Sequence, residues 1–165
     1  MINNAPKNNN YHQGNFIPKN KDKVIKLNSQ GGIYYRSSWE LKIMTWLDGS
    51  EKVSKWGSEC ISIPYQMTHF DKGDVRVKSH NYYPDFYMKM DKGEGITEEF
   101  VVEIKPKAQL QKPKAPKRKT AKALKNFQHG YETYVRNLCK TEALNKMAKL
   151  RNFKVMLLTE DSKLF

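Results

Sequence analysis

Two short stretches of the sequence carry carboxylates in a pattern that suits phosphodiester hydrolysis. Tyr83-Pro-Asp-Phe86 supplies Asp85, and Glu103-Ile-Lys105 follows further along the chain. Mg²⁺ prefers oxygen ligands and keeps several waters, so one or two carboxylates are enough to hold it. A neighbouring lysine can orient or deprotonate the attacking water, or stabilise the charge that builds on the phosphorus. Asp85 and Glu103 are therefore candidate metal ligands of a nuclease, and Lys105 is its candidate catalytic lysine.

These side chains can meet if two strands of one hairpin carry them. Residues 82–90 alternate and are rich in aromatics, and residues 100–105 form a second apolar run, so both are predicted strands. Asp85 then lies near the start of one strand and Glu103 near the end of its antiparallel neighbour. Glu103 and Lys105 leave the same face, about 6.6 Å apart along the strand. Either motif alone is also typical of an ordinary solvated strand, but together they favour carboxylates at the edge of a cleft.

The rest of the sequence predicts a mixed α/β domain in which helices pack on a central sheet. Segments with the helical spacing of apolar residues alternate with short strand-like runs, and there is no internal repeat. The other predicted elements are a helix over 37–48, strands over 53–56 and 60–65, a loop or hairpin tip over 71–81, a helix over 120–150 broken near Gly130, and a strand over 155–158.

The start of the first predicted helix offers Glu40 two alternative roles. Ser37 suits an N-cap, and Glu40 stands three residues later, which is the spacing of a capping box. Gly49 suits the C-terminal stop of this helix. A glutamate on this helix can equally lie beside the carboxylates of the hairpin and act as an additional acid. The residues by themselves favour the two roles about equally.

The charge of the chain indicates a polyanionic partner. The 165 residues include 30 Lys and Arg against 17 Asp and Glu, a formal net charge of +13. Nucleic acid is the first candidate for such a partner, and an acidic protein surface is the alternative. No stretch reaches the roughly 20 apolar residues of a membrane span. The sequence thus predicts one nuclease domain over 31–165, preceded by a flexible basic arm over 1–30.

The cysteines and histidines do not predict a zinc site. Cys60 and Cys139 lie far apart without metal-ligand spacing, so we expect reduced thiols in a cytosolic chain, with Cys60 buried in a strand. His69 and His80 fall in the predicted polar loop and are interpreted as surface residues. Glu59 either contacts the metal ligands without binding the metal itself or is a polar residue on an exposed edge.

A basic, proline-rich segment follows the candidate catalytic lysine. From Lys105 to Lys125 there are nine Lys or Arg residues and no Asp or Glu. Such a run is usually just a solvated segment. The alternative is a strap at the rim of the active site that neutralises phosphates without reading sequence. The candidate DNA-binding residues are Arg36 beside the first helix and, in the Pro/Lys segment at 106–119, Lys107, Lys112, Lys114, Lys117, Arg118 and Lys119.

Several motifs together resemble a known group of nucleases. Pro84-Asp85, Glu103-x-Lys105 and a helix bearing Glu40 are similar to the pattern of the PD-(D/E)xK nuclease superfamily. A longer resemblance, from about Ile33 to Gln109, is to the head completion nucleases of T4-type tailed phages, relatives of the TnsA-type transposon endonucleases. The motifs that carry it are Tyr35-Arg-Ser-Ser-Trp-Glu40, Trp56-x-x-Glu59, Ile63-Pro-Tyr65, Tyr83-Pro-Asp-Phe86 and Glu103-Ile-Lys-Pro106.

The resemblance implies a restriction-endonuclease-like core, in which helices flank a central mixed sheet, and Mg²⁺-dependent endonuclease activity with Mn²⁺ as a substitute. It implies that Asp85 and Glu103 bind the metal, that Lys105 is catalytic, and that Glu40 is an additional catalytic acid and metal ligand. The implied role is to process packaged DNA in phage heads before tails are attached, in the host cytoplasm. The implied partners are double-stranded DNA and head, neck or portal proteins, without a membrane.

Two other functions stay open at this point. A structural neck protein can keep a nuclease fold for binding DNA ends, although it has no need of Asp85, Glu103 and Lys105 together. A transposon-end nuclease or a Holliday-junction resolvase can carry the same residues. The complete set of three therefore favours an enzyme over a structural protein.

Overall fold

The computed structural model describes residues 12–71 and 74–162. Their strands are β1 (Gly14–Phe16), β2 (Ile33–Tyr35), β3 (Val53–Ser58), β4 (Ile63–Asp71), β5 (Asp74–Tyr82), β6 (Phe86–Gly93), β7 (Ile96–Ile104) and β8 (Lys154–Leu158). Their helices are α1 (Ser38–Gly49), α2 (Lys107–Leu110) and α3 (Ala121–Arg151), with a 3-10 turn over Lys21–Lys23. The predicted mixed α/β class is confirmed.

The central sheet has four strands in the order β3-β6-β7-β8. β3, β6 and β7 pair in antiparallel fashion, whereas β7 and β8 are parallel. A parallel pair needs a long crossover connection, and α3 lies in it. β6 and β7 form the predicted hairpin, with Phe86 opposite Val102. Asp85 immediately precedes Phe86 and Glu103 immediately follows Val102, so this register brings both carboxylates to one end of the sheet.

Apolar side chains cover both faces of the central sheet. On one face, Met44 and Leu47 of α1 are fully buried in a cluster with Trp56. On the other face, Val101 packs with side chains of β4 and β5 and with Leu144 of α3. Successive side chains of β7 therefore enter different cores, because they alternate across the strand. The sheet lies between α1 and a second layer formed by α3 and the β4–β5 hairpin.

Residues 71–81 were predicted as a loop or a hairpin tip, and the structure places the described part of this range in a hairpin. The correction concerns its length, because β5 pairs with β4 from Asp74 to Tyr82, so most of this range is strand. Most side chains of β5 are exposed, so no alternation of apolar and polar residues marks it as a strand. Backbone hydrogen bonds to β4, rather than burial of its own side chains, keep β5 extended.

Two smaller expectations about this region are also corrected. His69 and His80 lie on β4 and β5, where they are half-buried with their Nε2 atoms 3.1 Å apart, and the ring of His80 stacks on Tyr65. Cys60 is half-buried in the connection between β3 and β4, not within a strand. Glu59 has a left-handed backbone with a φ of 47°, which turns the chain out of the central sheet just before Cys60.

Residues 12–30 pack against the domain, in contrast to the loose arm predicted over 1–30. β1 pairs with β2, and Asp48 near the end of α1 is 3% exposed. The carboxylate of Asp48 accepts hydrogen bonds from the backbone N–H groups of Lys19 (2.8 Å) and Asn20 (3.0 Å). A buried carboxylate needs such donors. Polar contacts thus hold this segment, which is why its low hydrophobicity is misleading; residues 1–11 lie outside the described part.

α3 is one continuous helix of 31 residues and is not broken near Gly130. Thr120 caps its start by accepting a hydrogen bond from the N–H of Ala123, and Asn152 ends it in the left-handed conformation. An isolated glycine costs a helix only about 1 kcal/mol, which caps at both ends and packing outweigh. No helix in the described ranges is long and apolar enough to cross a membrane.

Candidate active site

Asp85 and Glu103 lie close together where β6 begins and β7 ends. The backbone N–H of Ile104 donates a 2.6 Å hydrogen bond to Oδ2 of Asp85, which ties Asp85 to the neighbouring strand. Glu103 is 6% exposed, so its carboxylate is almost completely removed from bulk solvent. The structure therefore brings together the two carboxylates that the predicted hairpin joins.

Lys105 neutralises part of the charge of this pair. Its Nζ lies 2.6 Å from Oε1 of Glu103, and the two side chains are 12% and 8% exposed. The backbone N–H of Lys105 donates to the carbonyl of Leu158 (2.9 Å), so the parallel strand β8 holds the lysine in place. Lys105 is thus paired with Glu103 and acts on Asp85 only through its charge, so the position suits a further cation.

The carboxylates repel each other in surroundings that water barely reaches. Burial and the charge of Glu103 raise the pKa of Asp85 from 3.8 to about 7. The hydrogen bond from Ile104 and the charge of Lys105 lower that pKa without cancelling the effect. A cation bound at such a position would offset this repulsion, because its positive charge attracts both carboxylates. Oδ1 of Asp85 accepts no hydrogen bond from the residues that the structure describes, which leaves it available as a ligand.

The oxygen donors of this centre fit Mg²⁺ or Mn²⁺. Mg²⁺ is usually held by one or two carboxylates, with water and substrate phosphate oxygens completing its coordination. Across residues 12–71 and 74–162, no group of three or more His, Cys, Asp and Glu side chains is arranged to hold a metal ion. Asp85 and Glu103 supply the one or two carboxylates that such an ion needs.

Tyr82 belongs to the centre, although it lies outside the motifs that contain Asp85, Glu103 and Lys105. It is 4% exposed, and its hydroxyl donates a short hydrogen bond to Oε2 of Glu103. Burial and the charge of Glu103 raise the pKa of Tyr82, so the hydroxyl keeps the proton that it donates. Tyr82 and Lys105 thus hold the two oxygens of Glu103. The aromatic residues before Pro84 were the available signal, but such tyrosines more often pack without a polar role.

Lys140 reaches the centre from α3 and was also missed. Its Nζ lies 5.1 Å from the centroid of the Tyr82 ring, a cation–π distance. Half-burial and the charge of Lys105 lower the pKa of Lys140, while the charges of Glu103 and Asp85 raise it. A second lysine therefore lies near the carboxylates. No spacing in the sequence connects it with the motifs, because only the packing of α3 brings it there.

The predicted N-cap Ser37 at the start of α1 is confirmed, and the carboxylate of Glu40 accepts from the N–H of Arg36 rather than from that of Ser37. The N–H of Glu40 donates to Oγ of Ser37 (3.1 Å). Its carboxylate accepts hydrogen bonds from Oγ of Ser37 (3.1 Å) and from the N–H of Arg36 (2.8 Å). The charge of Glu40 also raises the pKa of Asp85, so the two carboxylates influence each other. The cap and a role in the centre are thus compatible.

Arg36 and Glu59 form an ion pair next to the centre. Nη1 and Nη2 of Arg36 lie 2.7 Å and 3.2 Å from the two carboxylate oxygens of Glu59. Both side chains are largely exposed, at 59% and 44%. The backbone N–H of Glu59 donates to the carbonyl of Asp85 (3.1 Å). Glu59 therefore supports the segment bearing Asp85, and it holds Arg36 at the surface.

The basic segment at 106–119 runs along the surface beside α3. Lys107 is engaged within the chain: it pairs with Asp161, and its N–H donates to Glu160 (2.9 Å). Nζ of Lys112 lies 5.7 Å from the centroid of the Tyr131 ring of α3. The remaining candidate DNA-binding residues of the segment are exposed: Lys114, Lys117, Arg118 and Lys119.

Two comparisons with known proteins agree with this geometry. The family model described as TnsA-like endonuclease N terminal matches residues 50–160, a range that contains the motifs with Asp85, Glu103 and Lys105. The head completion nuclease of Enterobacteria phage T4 is 35% identical over 150 residues, which cover 91% of this chain and 92% of that protein. The mixed sheet with flanking helices is consistent with the restriction-endonuclease-like fold of this domain, as the resemblance implied. The chain therefore belongs to the TnsA-like endonuclease family.

Proposed function

We propose that this endonuclease hydrolyses phosphodiester bonds of double-stranded DNA with the help of Mg²⁺, for which Mn²⁺ can substitute. The observation that carries the proposal is the convergence of Asp85, Glu103 and Lys105 at one end of the central sheet. The buried carboxylate of Glu103 and the half-buried carboxylate of Asp85 repel each other, and only Lys105 forms an ion pair there, which is costly unless the position serves a cation.

Each residue of the centre has a separate task in this proposal. Oδ1 of Asp85 and the carboxylate of Glu103 hold the metal ion. The bound ion polarises the scissile phosphate and the attacking water. Lys105 orients that water or stabilises the charge on the phosphorus, and its ion pair with Glu103 keeps it within reach. Tyr82 donates to Glu103 and fixes the direction of its carboxylate.

Glu40 is proposed as an additional acid of this centre, and Glu40→Gln tests the role. Glutamine can replace glutamate in a capping box, so the substitution keeps the cap while it removes the charge. We expect an unchanged melting temperature and roughly ten-fold weaker Mn²⁺ binding, as for other groups that assist metal ligands. Unchanged Mn²⁺ affinity in the folded variant would restrict Glu40 to capping.

The exposed basic residues are proposed to bind the DNA backbone. Arg36 is kept beside the centre by Glu59, and Lys114, Lys117, Arg118 and Lys119 are exposed. Lys107 and Lys112 are also exposed, although they contact Asp161 and the ring of Tyr131. Lysines and arginines that contact phosphates bind without reading bases. Binding should therefore fall steeply with salt concentration.

The biological role is proposed from the relative. A head completion nuclease is 35% identical to this chain along almost the full length of both proteins. We propose that this chain likewise acts during phage assembly in the host cytoplasm, where it processes packaged DNA ends before heads and tails join. Head, neck or portal proteins would be its protein partners.

Cleavage of supercoiled and linear duplex DNA tests the proposed chemistry. Wild type and Asp85→Asn are compared in Mg²⁺ and in EDTA, and DNA binding is measured in EDTA. We expect wild type to cleave only with the metal, and Asp85→Asn to bind DNA without cleaving it. Folded wild type that binds DNA but never cuts it would instead favour a structural neck protein. Cleavage confined to four-way junctions would favour a resolvase.

A further inference from the structure

One face of α3 carries a row of basic residues that begins at the catalytic centre. Lys140 contacts Tyr82 there, and the charge of Arg136 acts on Lys140 from one turn away. The row continues toward the start of the helix at intervals of three, four or seven residues, which place side chains on one face. We call it the basic stripe; its members are Lys122, Lys125, His129, Arg136 and Lys140.

The same helical face is apolar and packed in the second half of α3. Ala143 and Met147 follow Lys140 at intervals of three and four residues, and both pack on the cluster beneath the β4–β5 hairpin. The face that joins α3 to the domain therefore turns basic where the helix passes the catalytic centre. The stripe consequently faces the side of the helix on which the carboxylates lie.

The first half of α3 extends beyond the domain. The buried residues of α3 are Leu144 and Ala148, whereas Lys122, Lys125 and His129 are exposed. With a rise of 1.5 Å per residue, the distance from Lys140 to Lys122 is about 27 Å, or the length of about eight base pairs. A helix surface of this length is longer than contact with one scissile phosphate requires.

The basic segment at 106–119 supports this projecting half from a different face. Pro113 lies over Gly130, where a Cβ would come within 3.4 Å of the proline ring. Asn137 donates to the carbonyl of Gln109 (3.4 Å). These contacts leave the stripe uncovered. Residues 121–140 contain one acidic residue, Glu132, which is hydrogen-bonded to Gln128 (3.3 Å).

We propose that the basic stripe seats the arm of the DNA duplex that leads away from the scissile phosphate. The proposal rests on the proposed function, and it adds the path of the substrate across the protein. The stripe starts at the point where the reacting phosphate must lie, so it is continuous with that site. A duplex backbone carries regularly spaced charges along its length, which a straight row of lysines and arginines can follow.

The test is DNA binding in EDTA by Lys122→Ala/Lys125→Ala, with a 30-base-pair duplex over a range of salt concentrations. We expect roughly ten-fold weaker binding, and a slope of log affinity on log salt smaller by about 1.8, since each lost phosphate contact contributes about 0.9. The matched control is Lys146→Ala/Lys149→Ala, which removes two exposed lysines from the packed half of α3. The control should bind like wild type.

The outcomes separate this proposal from the proposed chemistry. If both double variants lost the same DNA affinity, the effect would come from net charge alone. If neither lost affinity, the stripe would not contact DNA. Either result overturns the proposal. If Lys122→Ala/Lys125→Ala bound DNA like wild type but no longer bound an acidic protein, the stripe would be a binding surface for that protein, and the proposal would be wrong. The binding measurement in EDTA needs no cleavage. If wild type never cut DNA, the proposed hydrolysis would be wrong, but the test of the stripe would remain valid.

Discussion

The two long hairpins of the molecule are built from strands of similar length but are stabilised in different ways. β6 and β7 lie inside the central sheet, where Phe86, Met88, Val101 and Val102 are nearly inaccessible to solvent. β4 and β5 form a separate two-stranded sheet, and Val77 of β5 is 63% exposed. The first hairpin holds the two candidate carboxylates, Asp85 and Glu103, and the second contributes Tyr82 at its base. The proposed catalytic position thus lies in the hairpin that is buried on both faces.

The largest expected effect is on catalysis in the buried hairpin. Glu103→Gln removes the charge that is proposed to bind the metal, and we expect the rate of DNA cleavage to fall roughly 10³-fold, as is typical when a catalytic electrostatic contact is lost. Glu99→Gln on the same strand, where the carboxylate accepts a hydrogen bond from Tyr87 (2.8 Å), is the control. If both variants cleaved DNA at the wild-type rate, the centre would have to lie elsewhere.

The charge of Asp85 gives the buried hairpin a pH-dependent cost. The pKa of Asp85 is raised from 3.8 to about 7, so the folded state binds this proton more tightly than the unfolded state. Stability without metal should therefore fall as pH rises from about 4 to about 7. At pH 8 in EDTA, Asp85→Asn should increase the free energy of unfolding by roughly 2 kcal/mol or more, a gain that disappears near pH 4.

Denaturant unfolding at both pH values measures this difference. The control is Asp74→Asn at the tip of the β4–β5 hairpin, since the side chain of Asp74 is 69% exposed. That variant should match wild type within about 0.5 kcal/mol at either pH. A destabilised Asp85→Asn at pH 8 would show that the repulsion between the carboxylates is smaller than inferred.

Tyr82 links the two hairpins, and Tyr82→Phe tests the link. The substitution removes the hydroxyl that holds Glu103 and leaves the buried ring. We expect metal affinity, measured by Mn²⁺ titration, to fall roughly 10- to 100-fold, as for other residues that orient a metal ligand. Tyr83→Phe is the neighbouring control, because Tyr83 is 49% exposed. Equal affinities in the two variants would reduce Tyr82 to a packing role.

The smallest expected effect compares the valines of the two hairpins. Val101→Ala opens a cavity between the sheet and α3 and should lower the free energy of unfolding by about 2 kcal/mol. Val77→Ala removes an exposed side chain and should change it by less than about 0.5 kcal/mol. Thermal or denaturant unfolding measures both. Similar losses would mean that β5 is more firmly packed than its exposure indicates.

The β6–β7 hairpin and the first helix were predictable because local patterns specify them. Alternation of apolar residues marks β6 and an apolar run marks β7, and the turn residues between them favour a hairpin that brings Asp85 near Glu103. The capping box of Ser37 and Glu40 marks the start of α1 within four residues. The same local patterns led to an error at β5, since an exposed strand has no alternation to detect.

The sequence by itself determined the mixed α/β class, the paired strands and the motif residues Asp85, Glu103 and Lys105, because these depend on neighbours in the chain or in one hairpin. Only the tertiary structure decided that Tyr82 and Lys140 join the centre and that residues 12–30 dock on Asp48. Those contacts join side chains far apart in sequence. Their energies depend on burial and charge in the folded molecule, which no spacing of residues records.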